Sequence, residues 1–335
     1  VEGLGRVGPA DQAFGVGAVG RGRNAPPHPT ALARGYLGVV GKFSRRLIDP
    51  VAARQRKIIV TNTPGAYSEE SGCMAVERLL DGRQPFTALF AANATFAADP
   101  GKPGPRIIDA STAHRTAPGW VFGFPELHPG QEEAVRQARR VANPGCYATG
   151  AIALIRPLVD AGLLPVDFPV CLPSISGYSG GGRTMIEAYE QGAAPAMELY
   201  ALGLKHKHIP EIMRYTGLAR RPLFVPSVGN FAQGMLVQLP LHLDTLPSKP
   251  SVQDLLNVLT NQYSGSTWVT VEPATADLKL DAVALANTNK MELRVFGNDA
   301  AKDGFAHAVL VARLDNLGKG ASGAAVQNLQ LMLGV

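Results

Sequence analysis

The sequence predicts an α/β protein in which a parallel, doubly wound sheet is joined to an α+β part with a mainly antiparallel sheet. Three observations lead there. From about residue 57, short apolar strands alternate with a helical period, the pattern of parallel sheets covered by helices. Residues 148–164 form a long apolar run in which Ile152, Ile155, Val159 and Leu163 recur at spacings of three and four. Residues 235–243 and 291–296 alternate apolar with polar, as strands of a half-exposed antiparallel sheet do. At 335 residues and 46% hydrophobic, the chain is long enough for two domains.

The first fifty residues differ from the rest. Gly and Pro make up 15 of these 50 residues, against 63 of all 335, and no periodicity is sustained. Residues 15–20 spell G-x-G-x-x-G, but a turn signal precedes them and Ala25-Pro26-Pro27-His28-Pro29 follows, so the strand and helix that make this pattern a phosphate loop are missing. Residues 1–56 are therefore expected to be irregular. Beyond them, residues 57–61 read as a buried strand, 69–81 as a helix and 87–91 as a second strand. Residues 99–105 are a strong breaker and 106–109 a third strand.

Composition narrows the function. Three cysteines suit a reduced, cytoplasmic protein, and the opening does not read as a signal peptide. No apolar run reaches the roughly 18 residues that a membrane span needs. The net charge of +5 is modest and scattered, so nucleic acid is not implied, while an anionic small substrate is compatible.

Four segments carry candidate chemistry. In the first, Cys146 follows Asn143-Pro144-Gly145 at a helix start, where unpaired N–H groups and the helix dipole favour thiolate. A buried structural cysteine is the plainer alternative. The second, DASTAHR (109–115), follows a strand and offers the Ser111 hydroxyl and the Arg115 fork. SGYSGGGR (176–183) lets backbone N–H groups approach an anion or cofactor, with Arg183 adding charge. Lastly, Lys205-His206-Lys207-His208-Ile209-Pro210-Glu211 puts both histidines on one face if extended, before a helix opened by Pro210 and Glu211. An H-x-H pair alone is too few ligands for zinc and no other zinc motif occurs, so no metal is expected.

Together with GWVFGFPEL (119–127), NPGCYATG (143–150), TNKMEL (288–293) and LDNLGKGASGAAVQN (314–328), these segments resemble N-acetyl-gamma-glutamyl-phosphate reductases of the shorter subtype, over about residues 105–335. The resemblance implies a Rossmann-like cofactor domain from 57–145 plus 312–335, atypical at its N-terminal side, and a catalytic and dimerisation domain from 146–311. It implies Cys146 as nucleophile, with His208 and His206 as acid–base and substrate groups. Ser111, Arg115, Asn143, Arg183 and Glu211 would bind substrate. Ser176, Gly177, Ser179, Gly180, Gly181 and Asn316 would border the cofactor, NADPH (NADP when oxidised). The substrate would be a small acyl phosphate, and the protein a homo-oligomer, dimer or tetramer. Ala148 stands where that family commonly has proline. The family's opening G-x-x-G-x-x-G unit is not found. Residues 58–93 instead resemble a piece of a lactose-repressor-type effector domain, as a fusion would. Two other readings are an aspartate-semialdehyde-type dehydrogenase and a non-catalytic ligand-binding module.

Overall fold

The structure, a computed structural model, describes residues 58–60, 88–91, 106–298 and 304–334. The irregular segment expected over 1–56, the 15–20 glycine pattern, the 69–81 helix and the 99–105 break lie outside the described residues, as does most of the repressor-like stretch.

The described strands form two sheets. Strands β1 (Ile58–Val60), β2 (Ala88–Ala91), β3 (Arg106–Asp109), β4 (Val121–Phe122) and β5 (Arg140–Ala142) make a parallel sheet in the order β1-β2-β3-β5-β4. Phe90 pairs with Ile108 and Ile108 with Val141. Ile107 and Ile108 are both buried, as strands covered on two faces require. Helix α1 (Gln131–Gln137) connects β4 to β5. Its Val135 packs with Ile108, Val141, Ala325, Leu329 and Met332, so the last helix of the chain closes back onto this sheet. The Arg106 guanidinium ties the three pieces together, donating to the carbonyls of Ala138, Arg136 and Met332.

After helix α2 (Cys146–Asp160) come β6 (Cys171–Gly177), α3 (Arg183–Glu190), β7 (Met197–Leu199), α4 (Ile209–Thr216), β8 (Leu223–Gly229) and β9 (Met235–His242). Then follow α5 (Val252–Tyr263), β10 (Val269–Val271), β11 (Met291–Asn298), β12 (His307–Leu314) and α6 (Gly323–Leu333). The second sheet runs β10-β11-β12-β9-β6-β8-β7 and is mainly antiparallel, parallel only at β10–β11 and β6–β8. Along β9, Met235, Val237, Leu239 and Leu241 point inward, the period-two alternation that the sequence shows.

Helix α2 is the pillar of the larger core. Ile152, Leu154, Ile155 and Leu158 are fully buried, packed with residues of β9, β12, α4 and α5. At roughly 1.5–3 kcal/mol for each such side chain, this burial outweighs any helix propensity. The helix begins two residues before the apolar run, at Cys146 itself, because Gly145 holds an extended conformation (φ −78°, ψ 146°) directly before it. It ends at Asp160, and Gly162 takes a positive φ of 70° in the turn that follows. Pro157 inside the helix removes the N–H that would reach the Ala153 carbonyl. The Tyr263 hydroxyl of α5 supplies that bond at 2.9 Å. A capping box starts α5: Ser251 Oγ accepts from the Asp254 N–H and Asp254 Oδ2 from the Ser251 N–H.

Candidate active site

Gly145 is the crowded centre of the site. Its N–H donates to Glu211 Oε2 at 3.1 Å. A Cβ added there would stand 2.6 Å from both Arg115 Nη1 and Glu211 Oε1, and closer still to His208 Nε2. The backbone conformation is one that any residue adopts, so glycine is required by space and not by φ. Four sequence-predicted residues thus meet at one turn, brought from the parallel sheet (Arg115), the start of α2 (Cys146) and the start of α4 (His208, Glu211).

Arg115 and Glu211 hold each other. Arg115 Nη1 donates to Glu211 Oε1 at 2.7 Å, Nε to the Asn143 carbonyl at 3.0 Å and Nη2 to the Ala110 carbonyl at 2.9 Å. Three of the five guanidinium donors are thereby used inside the protein. Burial pushes the Glu211 carboxyl up, while Arg115 and the Gly145 N–H pull it back. Asn143, 2% exposed, is committed in the same way: Nδ2 donates to the Ala321 carbonyl and Oδ1 accepts from Asn328.

His206 and His208 do come together, but through a turn and not an extended strand. His208 has αR dihedrals, and its N–H donates to His206 Nδ1 at 3.1 Å, with ring centroids 4.6 Å apart. The helix that starts at Ile209 imposes the turn one residue earlier than Pro210 suggests. Burial pushes His206 down to about 4, with the Lys207 and Arg115 charges adding to the effect. His208 is driven well below its ordinary value by burial and then by Arg115, His206 and Lys207. Both rings are neutral at pH 7 and able to accept a proton.

The expected resting thiolate is not what the surroundings favour. Burial pushes the Cys146 thiol up to about 11. The Tyr147 N–H and the charges of Arg115 and Lys207 offset only part of this, and Glu211 adds to the rise. Desolvation of the sulfur outweighs the helix start. A nucleophile here is a thiol that must give its proton to a neighbouring base.

Two buried polar atoms lack a hydrogen-bond partner among the described residues at this site: Ser111 Oγ and His208 Nδ1. Buried orphans of this kind suit a polar ligand. Cys171, the other described cysteine, lies on β6 without such a setting.

The glycine-rich loop forms a second cluster beside the first. The N–H groups of Gly177, Tyr178 and Ser179 donate to the carbonyls of Gly234, Phe231 and Ala232, so they hold the loop in place and do not face a ligand. Asn316 accepts from the Gly234 N–H and donates to Ser179 Oγ, both at 2.9 Å. A Cβ on Gly180 would lie 3.2 Å from Asn316 Nδ2 and 3.5 Å from Ser176 Oγ, so these residues converge around that glycine. Gly181 packs against Met185. Arg183 opens α3, and its side chain lies outside the described residues.

Several residues escape the sequence reading. A Cβ on Gly320 would come within 2.8 Å of Cys146 Cβ, so the π-helical turn Gly318–Ser322 walls the nucleophile. Lys319, 1% exposed in that turn, pairs with Glu126 at 2.7 Å and with Gln327. Asp315 accepts from Gln233 and from the N–H groups of Asn287 and Leu317. Gly320 and Lys319 sit inside a motif quoted above, but no spacing rule says what they touch. A separate cavity of about 500 Å³ lies between Glu126, Gln262, Trp268 and Gln327, and does not include Cys146, His206 or His208.

The model of the semialdehyde dehydrogenase dimerisation domain matches residues 146–316. The N-acetyl-gamma-glutamyl-phosphate reductase of Brucella anthropi is 54% identical over 237 residues, 68% of this chain and 75% of that protein. The chain belongs to the N-acetyl-gamma-glutamyl-phosphate reductase family. It is therefore an oxidoreductase with an α/β fold. N-acetyl-gamma-glutamyl-phosphate reductase 2 of Nostoc sp. is 49% identical over 244 residues, covering 69% of this chain and 74% of that one. Among solved structures, aspartate semialdehyde dehydrogenase II of Vibrio cholerae complexed with ASA aligns with a TM-score of 0.56 at 14% identity, covering 74% of this chain and 80% of that one. That likeness concerns the fold. No helix among the described residues is long and apolar enough to cross a membrane.

Proposed function

We propose that the chain reduces N-acetyl-gamma-glutamyl phosphate to the semialdehyde with release of phosphate, using NADPH, as a step of arginine biosynthesis. The observation that carries this is the meeting of Cys146, His208, Arg115 and Glu211 around Gly145, with His206 packed against His208, in a member of the reductase family. One of the two neutral histidines takes the Cys146 proton as the sulfur attacks the acyl carbon. The carbon–oxygen bond to phosphate breaks, and a thioester on Cys146 remains. Arg115, braced by Glu211, supplies positive charge where the anionic substrate enters. Ser111 Oγ offers an uncommitted hydroxyl to it. The reduced nicotinamide supplies the hydride that the thioester carbon accepts. The thiolate released with the aldehyde is then reprotonated by the imidazolium formed in the first step.

Ser176, Ser179, Gly180 and Asn316 fit the nicotinamide end, because they converge around a glycine whose missing Cβ leaves room beside the Cys146 helix. We assign residues 57–145 with 312–335 to the cofactor domain and 146–311 to the catalytic and dimerisation domain, with a homo-oligomer as the working form. The test is a coupled measurement of NADPH oxidation and phosphate release with the N-acetylated acyl phosphate. Cys146→Ser should abolish both signals, and His208→Asn should lower kcat by roughly 10²–10⁴-fold. Equal turnover of aspartyl phosphate would assign the chain to the other dehydrogenase type, and unchanged turnover in Cys146→Ser would end the thioester reading.

A further inference from the structure

At the far end of the mixed sheet, His242 closes β9 and His307 opens β12, directly opposite one another in the antiparallel register. Their rings stand edge to face with centroids 4.8 Å apart. Asp244, two residues past the end of β9 in a short 3-10 turn, brings its carboxylate to the same place. One nitrogen from each ring and one carboxylate oxygen all lie within 4.8 Å of one another. Independently, Asp244 Oδ1 is shielded from solvent and has no hydrogen-bond partner among the described residues. A shielded carboxylate oxygen left without a donor is unfavourable until a cation or a hydrogen-bond donor completes it, and here two imidazole nitrogens stand beside the carboxylate.

We infer that His242, Asp244 and His307 form a binding site for one divalent transition-metal ion of the zinc class, separate from the catalytic centre. Two imidazoles and a carboxylate suit a borderline ion of this type and not calcium or magnesium, which take oxygen donors. Zinc holds such ligands at about 2.0–2.2 Å, so tetrahedral placement sets donors about 3.4 Å apart. Side-chain rotation at exposed His242 can close the trio to that spacing, with water as the fourth ligand. The site lies eight residues, about 26 Å, along β9 from Gly234, where Asn316 meets the sheet, given about 3.3 Å per residue. A metal there joins the end of β9 and its following turn to the start of β12. It is a staple on the fold with no part in the reaction. This goes against the sequence-based expectation of no metal, because the ligands come from two strands distant in the chain.

The experiment titrates zinc chloride into the whole chain, freed of metal, by calorimetry, with cobalt(II) absorbance as a second probe of tetrahedral N/O ligation. One equivalent should bind saturably and raise the melting temperature. The His242→Ala, His307→Ala double variant should bind at least about 100-fold more weakly, since even removing an outer partner of a ligand loses 10–100-fold. It should show no metal-dependent thermal shift, while keeping wild-type reductase activity. Asp244→Asn keeps the shape of the turn and carries the same test if the double variant fails to fold. Cys146→Ser should bind as the wild type does. Absence of saturable binding in the wild type would overturn the assignment. So would binding that survives in the double variant or is lost in Cys146→Ser, which would place the ion at the catalytic cysteine and histidines.

Discussion

Replacing Glu211 by Gln tests whether the Arg115–Glu211 pair is the clamp that holds the nucleophile turn. The two side chains are 10% and 1% exposed and 2.7 Å apart. At an effective dielectric constant of about 20, that separation corresponds to about 6 kcal/mol of attraction. Part of it is offset, because Gln no longer has to bury a charge. Gln also cannot accept from both Arg115 and the Gly145 N–H: whichever contact receives its amide nitrogen sets donor against donor. Removing one partner of a buried pair costs about 3–5 kcal/mol, and the expected loss lies in that range. Urea unfolding measured by far-UV circular dichroism reads it directly, with the m-value checked for constancy. The thiol should respond in the opposite sense. Glu211 raises the Cys146 value, so the variant should react faster with iodoacetamide at a fixed pH. A stability change below about 1 kcal/mol, or slower alkylation of a folded variant, would refute the clamp.

Gly145→Ala leaves the backbone unstrained and forces a methyl between His208, Arg115 and Glu211, so it should destabilise by about 1–3 kcal/mol and lower kcat; an unchanged unfolding midpoint would show that the turn has slack. With the thiol near 11, Cys146 alkylation should rise about tenfold per pH unit from pH 7 to 10, and a plateau below pH 7 would mean a resting thiolate. His206, held neutral down to about 4 in the fold, binds a proton at about 6.5 when unfolded, so its contribution to stability is present above pH 6.5 and is lost as pH falls toward 4. The stability difference between wild type and His206→Gln should therefore shrink over that window, and a flat difference would count against the burial.

Much of the architecture was legible because it follows from local rules. The 106–109 strand is Arg106–Asp109, and the alternation at 235–243 is β9, since burial of one sheet face writes itself as period two. The apolar run after Cys146 is α2, since one long helix must bury a continuous face. The nucleophile candidate could be named from a Pro-Gly turn before that run. The meeting of Arg115, Glu211 and the two histidines with it was legible only as a family pattern. Which atoms touch was not, because Arg115 and Glu211 stand 96 residues apart and no periodicity couples them.

The sequence by itself determined the period-two strands, the helix start at the cysteine and the residue types of the candidate site, all set by interactions within a few residues. Only the tertiary structure decided the protonation state of the site. A helix start favours thiolate locally, but Gly320 and the neighbouring elements crowd the half-buried cysteine, and desolvation of the sulfur opposes the dipole. The same packing turns two histidines predicted to share a face into neutral bases at a turn, and turns Arg115 and Glu211 from independent ligands into a buried pair. Desolvation depends on what the whole fold places around an atom, and that sum is not carried by any stretch of sequence.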